Sequence, residues 1–245
     1  MNNYQTIKTR FAEPVYYLQL YRPDSNNTIN QLMIEECLDA LQQCEQCASI
    51  LVLEGLPDTF CMGADFTQVT TLNTASLYEL LYRIATGSFI SITHVQGKVN
   101  AGGIGIVAAS DMVIAGSDAS FSLSELLFGI IPACVMPFLI RKSGFHHAQF
   151  LALSTKPINV QQAADWGIVD AWSTKDLELM NAYLLRLRRL SKTSIATLKS
   201  YMKDLYNLDV VREAAVTTSE KAFASPDNMN NIIRYVRTGM FPWQD

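Results

Sequence analysis

Asn100-Ala101-Gly102-Gly103-Ile104-Gly105 follows directly on a β-branched, strand-like run at residues 91–98. Glycines in series after a strand let backbone come close to a ligand and turn N–H groups toward it, above all where a helix begins. Something small and electron-rich is therefore expected at this point. Gly103, Gly105 and Ala108 also fit the G-x-G-x-x-A spacing of a dinucleotide fingerprint. That alternative needs an acid closing a second apolar strand about 20 residues on, and Phe121-Ser-Leu-Ser-Glu125 stands there instead. Glycines that only allow a helix to pack on a sheet are the plainer alternative.

Outward from this cluster the chain alternates. Residues 14–21 (PVYYLQLY) are aromatic and β-branched, and residues 29–46 place Ile29, Leu32, Met33, Cys37, Leu38 and Leu41 at helical spacing. Residues 49–54 (SILVLE) read as a buried parallel strand. A loop is expected over 55–66, a helix over 76–85, a third strand over 91–98 and short strands at 112–115 and 119–121. From 133 the pattern is mainly helical, at 133–155, 159–166, 176–191, 193–206 and 209–224. Alternating strands and helices followed by a helical tail predict an α/β core with a helical C-terminal region. No internal sequence repeat is visible.

Composition narrows the function. The 245 residues are 49 % hydrophobic and 17 % charged, and the net charge is −4. That balance belongs to a folding domain without a basic field for nucleic acid. Cys37, Cys44, Cys47, Cys61 and Cys134 are an odd set, expected to be reduced thiols of a cytoplasmic protein. The CxxC of Cys44 and Cys47 has no second pair or histidine pair beside it, and His94, His146 and His147 are scattered, so no metal is expected. No run is long and apolar enough for a membrane span.

Two more stretches complete the pattern: Thr59-Phe60-Cys61-Met62-Gly63-Ala64-Asp65-Phe66 and Ser120-Phe-Ser-Leu-Ser-Glu125-Leu-Leu-Phe-Gly-Ile-Ile-Pro132. Together with the glycine cluster they resemble the crotonase (enoyl-CoA hydratase/isomerase) superfamily, from about Tyr4 to the C-terminus. The resemblance implies a crotonase-like spiral of ββα units over residues 1–190 and a helical C-terminal trimerisation region over 191–245. It implies that the N–H groups of Ala64 and Gly102 form an oxyanion hole, since two fixed donors stabilise the charge that enolate chemistry puts on a thioester oxygen. Glu125 matches one of the family's two catalytic glutamates. The other is missing, and Gly105 takes its place. One carboxylate must then move every proton, and apolar neighbours at Leu123, Leu126, Leu127 and Phe128 should make Glu125 titrate high. Asp65, Phe66, Asn100 and Gly103 flank the donors and are expected to line the substrate. Asp65 also reads as a local cap.

Within that superfamily the wording of the loops and of the ending IIRYVRTGMFPWQD resembles the PksH-type dehydratases of polyketide β-branching. This implies dehydration of a 3-hydroxy-3-methylglutaryl group on an acyl carrier protein to 3-methylglutaconyl, with a partner enoyl decarboxylase acting next. No cofactor is expected beyond the phosphopantetheine that carries the substrate. Arg83 and Lys98 are candidates for the substrate's free carboxylate. Arg186, Arg188, Arg189 and Lys192, or Arg141 and Lys142, could meet an acidic carrier. A homotrimer or hexamer is implied. A one-glutamate isomerase and a non-catalytic thioester-binding protein are the competing readings.

Overall fold

Strands alternate between two sheets, and that alternation brings distant loops together in the computed structural model, which describes residues 4–68 and 72–244. β1 (Ile7–Ala12) and β2 (Val15–Leu20) form an antiparallel pair, and α1 (Gln31–Cys47) leads to β3 (Ile50–Glu54). Three times thereafter a strand of the large sheet is followed by a short strand of a second sheet and then a helix. β3 is followed by β4 (Thr59–Cys61) and α2 (Thr74–Thr86), and β5 (Ile90–Val95) by β6 (Lys98–Asn100) and α3 (Gly102–Ala109). The third turn is β7 (Met112–Gly116), β8 (Ser120–Ser122) and α4 (Met136–Ser154). After these come β9 (Ile158–Asn159), α5 (Val160–Asp165), β10 (Ala171–Ser173), α6 (Asp176–Leu187), α7 (Lys192–Leu205), α8 (Arg212–Ala224) and α9 (Pro226–Thr238).

The large sheet has the order β1-β2-β3-β5-β7-β10, parallel from β2 onward, and the small one β4-β6-β8-β9. This is the expected spiral of ββα units. Both faces of the large sheet are covered, as a parallel sheet requires. Leu18, Leu51 and Leu53 join the main core with α1 and α2. Ile50, Val52, Ile92 and Ile114 face the other way, under Met180, Leu184 and Leu187 of α6 and Ile195 of α7.

Several expectations need correction. The single strand expected over 91–98 is β5 and β6, which lie in different sheets. Gly97 makes the crossing possible, because a Cβ there would sit 2.1 Å from the Asp58 carbonyl carbon. The loop expected at 55–66 contains β4, and β1, β9, β10 and α9 were not anticipated. Strands as short as β4, β9 and β10 cannot show a period of two.

One side chain ties the start of the small sheet to the large one. Asn27 is fully buried, with φ +51°, and its Nδ2 donates to the carbonyls of Leu20, Thr59 and Phe60 while its Oδ1 accepts from the Arg22 N–H. Removing that amide orphans buried backbone groups on two strands. Asn27→Ala should therefore lower the unfolding free energy by about 2–4 kcal/mol, seen as a lower urea midpoint with unchanged slope.

Candidate active site

The first oxyanion candidate is set by backbone pairing. The Ile29 N–H donates to the Gly63 carbonyl at 2.7 Å, and the Asp65 N–H donates to the Ile29 carbonyl at 2.9 Å. Neighbours of Ala64 on both sides thus bond to Ile29, and in such a bridge the Ala64 N–H points the opposite way. That side is the cleft, which Ala64 lines. Gly63 has φ +88°, and a Cβ on it would meet the Ala101 Cβ at 2.6 Å.

The second candidate lies against the first. A Cβ at Gly63 would be 3.4 Å from the Gly102 nitrogen, and one at Gly102 would be 3.1 Å from Ile29 Cδ1. Gly102 is the first residue of α3, where the helix supplies no acceptor for an N–H. It is aimed by Ala101, whose φ of +51° and ψ of −121° form a conformation that normally needs glycine. The Ala101 N–H, donating to the Ser122 carbonyl at 3.1 Å, helps hold that turn. Two free N–H groups on adjoining loops are the geometry that stabilises a developing oxyanion.

Glu125 opens a 3₁₀ turn, Glu125–Phe128, after β8, and lines the same cleft. Its Oε2 is inaccessible and has no hydrogen-bond partner among the described residues. Burial pushes its carboxyl up to about 7, against a smaller downward pull from the N–H groups of Glu125 and Ser124. The expected rise is borne out, and it suits a group that must both take and give a proton near neutrality.

The place of the second family glutamate is closed. A Cβ at Gly105 would lie 2.9 Å from Leu81 Cδ1 and 3.1 Å from Val135 Cγ2. The side chain is absent, and the first atom of one would press on the ends of two apolar side chains.

Asp65, Phe66 and Asn100 line the cleft, as expected, but Gly103 does not. A Cβ on Gly103 would strike the Cys61 carbonyl at 2.7 Å, so this glycine lets α3 pack on β4. Asp65 accepts from the Thr67 N–H and hydroxyl and pairs with Arg22 at 2.9 Å. Although burial raises its carboxyl, these bonds outweigh it and hold the group below the usual carboxylate range. It is a buried strut of the oxyanion loop.

The cation candidates lie elsewhere. Arg83 pairs with Glu45 at 2.8 Å, and neither it nor exposed Lys98 lines the cleft. Arg141 is largely buried and donates to the Ala109 carbonyl, and Lys142 pairs with Asp170, so those two form no free basic patch. Arg186, Arg188 and Arg189 are exposed at the end of α6, and Lys192 donates to the Glu45 carbonyl. Among the described residues Arg22 is the one Lys or Arg in the lining, and Asp65 already holds it.

Sequence reasoning missed the last wall. Ser219, Phe223, Tyr235, Val236 and Phe241 of the C-terminal helices and tail close the cleft, whose volume is about 810 Å³. Phe128 anchors them, with ring centroids 5.3 Å from Phe66, 5.0 Å from Tyr235 and 5.9 Å from Phe241. Aromatic density in the ending was the available signal.

A buried acid with a raised titration point weighs on the fold. Free Glu125 would titrate near 4.5, so the folded chain binds a proton more tightly between 4.5 and about 7. The stability that proton confers is present at low pH and is lost as pH rises through about 7. Glu125→Gln should therefore stabilise the protein by on the order of 2 kcal/mol at about pH 8 and by little below the free value, measured by denaturant titration across pH.

The comparisons agree with this geometry. The family model for enoyl-CoA hydratase/isomerase matches residues 10–245. The chain is 48 % identical over 253 aligned positions to the bacillaene synthase dehydratase PksH of Bacillus subtilis, covering 99 % of this chain and 98 % of that one. It is 26 % identical to the 2,3-dehydroadipyl-CoA hydratase of Escherichia coli over 85 % of each. The crystal structure of the Bacillus subtilis polyketide biosynthesis enoyl-CoA hydratase superposes with a TM-score of 0.95 over 98 % of this chain and 100 % of that one, at 48 % identity.

Proposed function

The chain belongs to the enoyl-CoA hydratase/isomerase family, and on that premise we propose that it dehydrates 3-hydroxy-3-methylglutaryl-acyl carrier protein to 3-methylglutaconyl-acyl carrier protein in polyketide β-branching. The observation that carries the proposal is Glu125, whose Oε2 has no hydrogen-bond partner among the described residues, in a cleft with two free N–H donors and no glutamate at position 105. Likeness to a bacillaene synthase dehydratase over almost its whole length supports the same reaction.

In this reading the thioester oxygen rests between the Ala64 and Gly102 N–H groups. Glu125 as carboxylate removes a proton from the carbon α to the thioester, and the resulting charge sits on that oxygen. The electron pair then returns, the bond from C3 to its hydroxyl breaks, and the departing oxygen takes the proton held by Glu125. Water leaves, a double bond joins Cα and C3, and Glu125 is again a carboxylate. Decarboxylation would not require the base, so retention of Glu125 favours loss of water. The next step falls to a partner decarboxylase, and assembly into trimers or hexamers follows family habit. No helix is long and apolar enough to cross a membrane among the described residues, and the reaction is assigned to the cytoplasm.

Two measurements test this. Intact-mass analysis of the hydroxy-methylglutaryl carrier protein should show loss of one water with wild type and none with Glu125→Gln. A mass unchanged by wild type would leave an isomerase or a binding protein, and loss of carbon dioxide would assign the other step. The second concerns the carrier. Phe66 and Thr67 follow Ala64-Asp65 with no lysine for nucleotide phosphates, and the cleft's arginine is already paired. The carrier-bound substrate should therefore exceed its coenzyme A ester in kcat/KM by about tenfold or more, the worth of one missing charged hydrogen bond.

A further inference from the structure

A chain of neutral hydrogen bonds runs along the cleft wall beside Glu125. The Ser122 hydroxyl donates to Asn100 Oδ1 at 2.9 Å, and Asn100 Nδ2 donates to Ser124 Oγ at 2.8 Å. The sheet enforces this order, because Asn100 at the end of β6 is in register with Ser122 at the end of β8. Asn100 and Ser124 both line the cleft, and Ser124 is the residue before Glu125.

A serine oxygen that accepts from an amide still has its own hydrogen to give. Ser124 gives that hydrogen to no protein acceptor among the described residues, and Glu125 Oε2 has no partner either. The hydroxyl is a donor held in place and left unused, in the cleft that Glu125 also lines.

Dehydration by one carboxylate leaves a gap that such a donor fills. As the bond from C3 to the hydroxyl lengthens, negative charge grows on the departing oxygen while the only proton at hand is on Glu125. In a two-carboxylate site the second group would help there, but Gly105 supplies none. We propose that the Ser124 hydroxyl, oriented by Asn100 and through it by Ser122, donates a hydrogen bond to the departing 3-hydroxyl oxygen of the substrate. Ser124 keeps its proton throughout. The oxygen leaves as water with the proton from Glu125, and the electron pair of the broken bond goes with it. Ser124 is thus a catalytic residue and Asn100 a positioning residue. Neutral partners suit the task, since an acid at Asn100 would claim the Ser124 hydrogen and repel the charge on Glu125.

The proposal rests on the dehydratase reading, and one pair of substrates separates the two. With the hydroxy substrate, Ser124→Ala should lower kcat by about tenfold to a hundredfold, the range for loss of a donor aimed at developing charge. KM should change little, Asn100→Ala should lose part of the same factor, and Ser124→Thr, which keeps a hydroxyl, should restore most of it. The second substrate is the 3-methylglutaryl carrier protein, which has the α-protons but no hydroxyl to lose. In heavy water Glu125 should exchange its α-protons for deuterium at the wild-type rate in Ser124→Ala, as read by mass, which also shows that the variant is folded. Equal loss of exchange and dehydration would overturn the proposal, because Ser124 would then serve Glu125 or the fold. Full dehydration by Ser124→Ala would overturn it alone. No water loss by wild type would overturn the dehydratase reading and this one with it.

Discussion

The site depends on the pairing of Ile29 with the loop after β4. Two backbone hydrogen bonds, from Ile29 to Gly63 and from Asp65 to Ile29, leave Ala64 as the residue whose N–H is forced outward. The Ile29 side chain then packs against Gly102, so a single buried residue sets the spacing of both donors. Everything around it protects that spacing. Asn27 fastens the approach to Ile29 onto the ends of two strands, and the Arg22 pair with Asp65 closes the other side. Donors fixed in this way cost no rearrangement when charge appears on the thioester oxygen, and that is why backbone groups on a rigid frame serve better than mobile side chains.

Glu125 is placed by the opposite logic. Its carboxyl is largely buried and Oε2 is left without a partner among the described residues, so burial raises its titration point more than the nearby backbone N–H groups lower it. A well-satisfied carboxylate would be a weaker base. The same burial that makes the group useful weakens the fold at neutral pH, and the aromatic cluster of Phe66, Phe128, Tyr235 and Phe241 offsets that by locking the turn that carries it.

The chemical groups were legible in the sequence because their requirements are local. Glycines in series marked a place of close backbone approach, whereas the roles of Ala64, Gly102 and Glu125 came from the likeness of three loops to the crotonase superfamily. The packing that aims them was not. The Ile29 bridge joins residues far apart in the chain, and β4 and β6 are too short for any pattern. Charge alone gave no direction: Arg83 looked available but faces Glu45. The absence of the second glutamate followed from the family resemblance at Gly105, yet only the structure shows Leu81 and Val135 pressed against that position.

The missing carboxylate at Gly105 bears on the direction of the reaction. A two-carboxylate site can hold an attacking water and so serves hydration well. Here Gly105 supplies no such carboxylate, so a water at the reacting carbon has one acceptor fewer to hold it. Microscopic reversibility still requires that the groups which assist departure of the hydroxyl assist its return, so no arrangement of Glu125, Ala64 and Gly102 can shift the equilibrium between free substrate and product. What the site governs is how readily the alkene is rehydrated before it leaves. In the proposed setting the overall direction must come from outside the cleft, and loss of carbon dioxide in the following step supplies it, because a volatile product withdraws the alkene irreversibly. A dehydratase with one catalytic carboxylate is suited to that position: it releases product into a sink and has no need of a second group to hold water for the return.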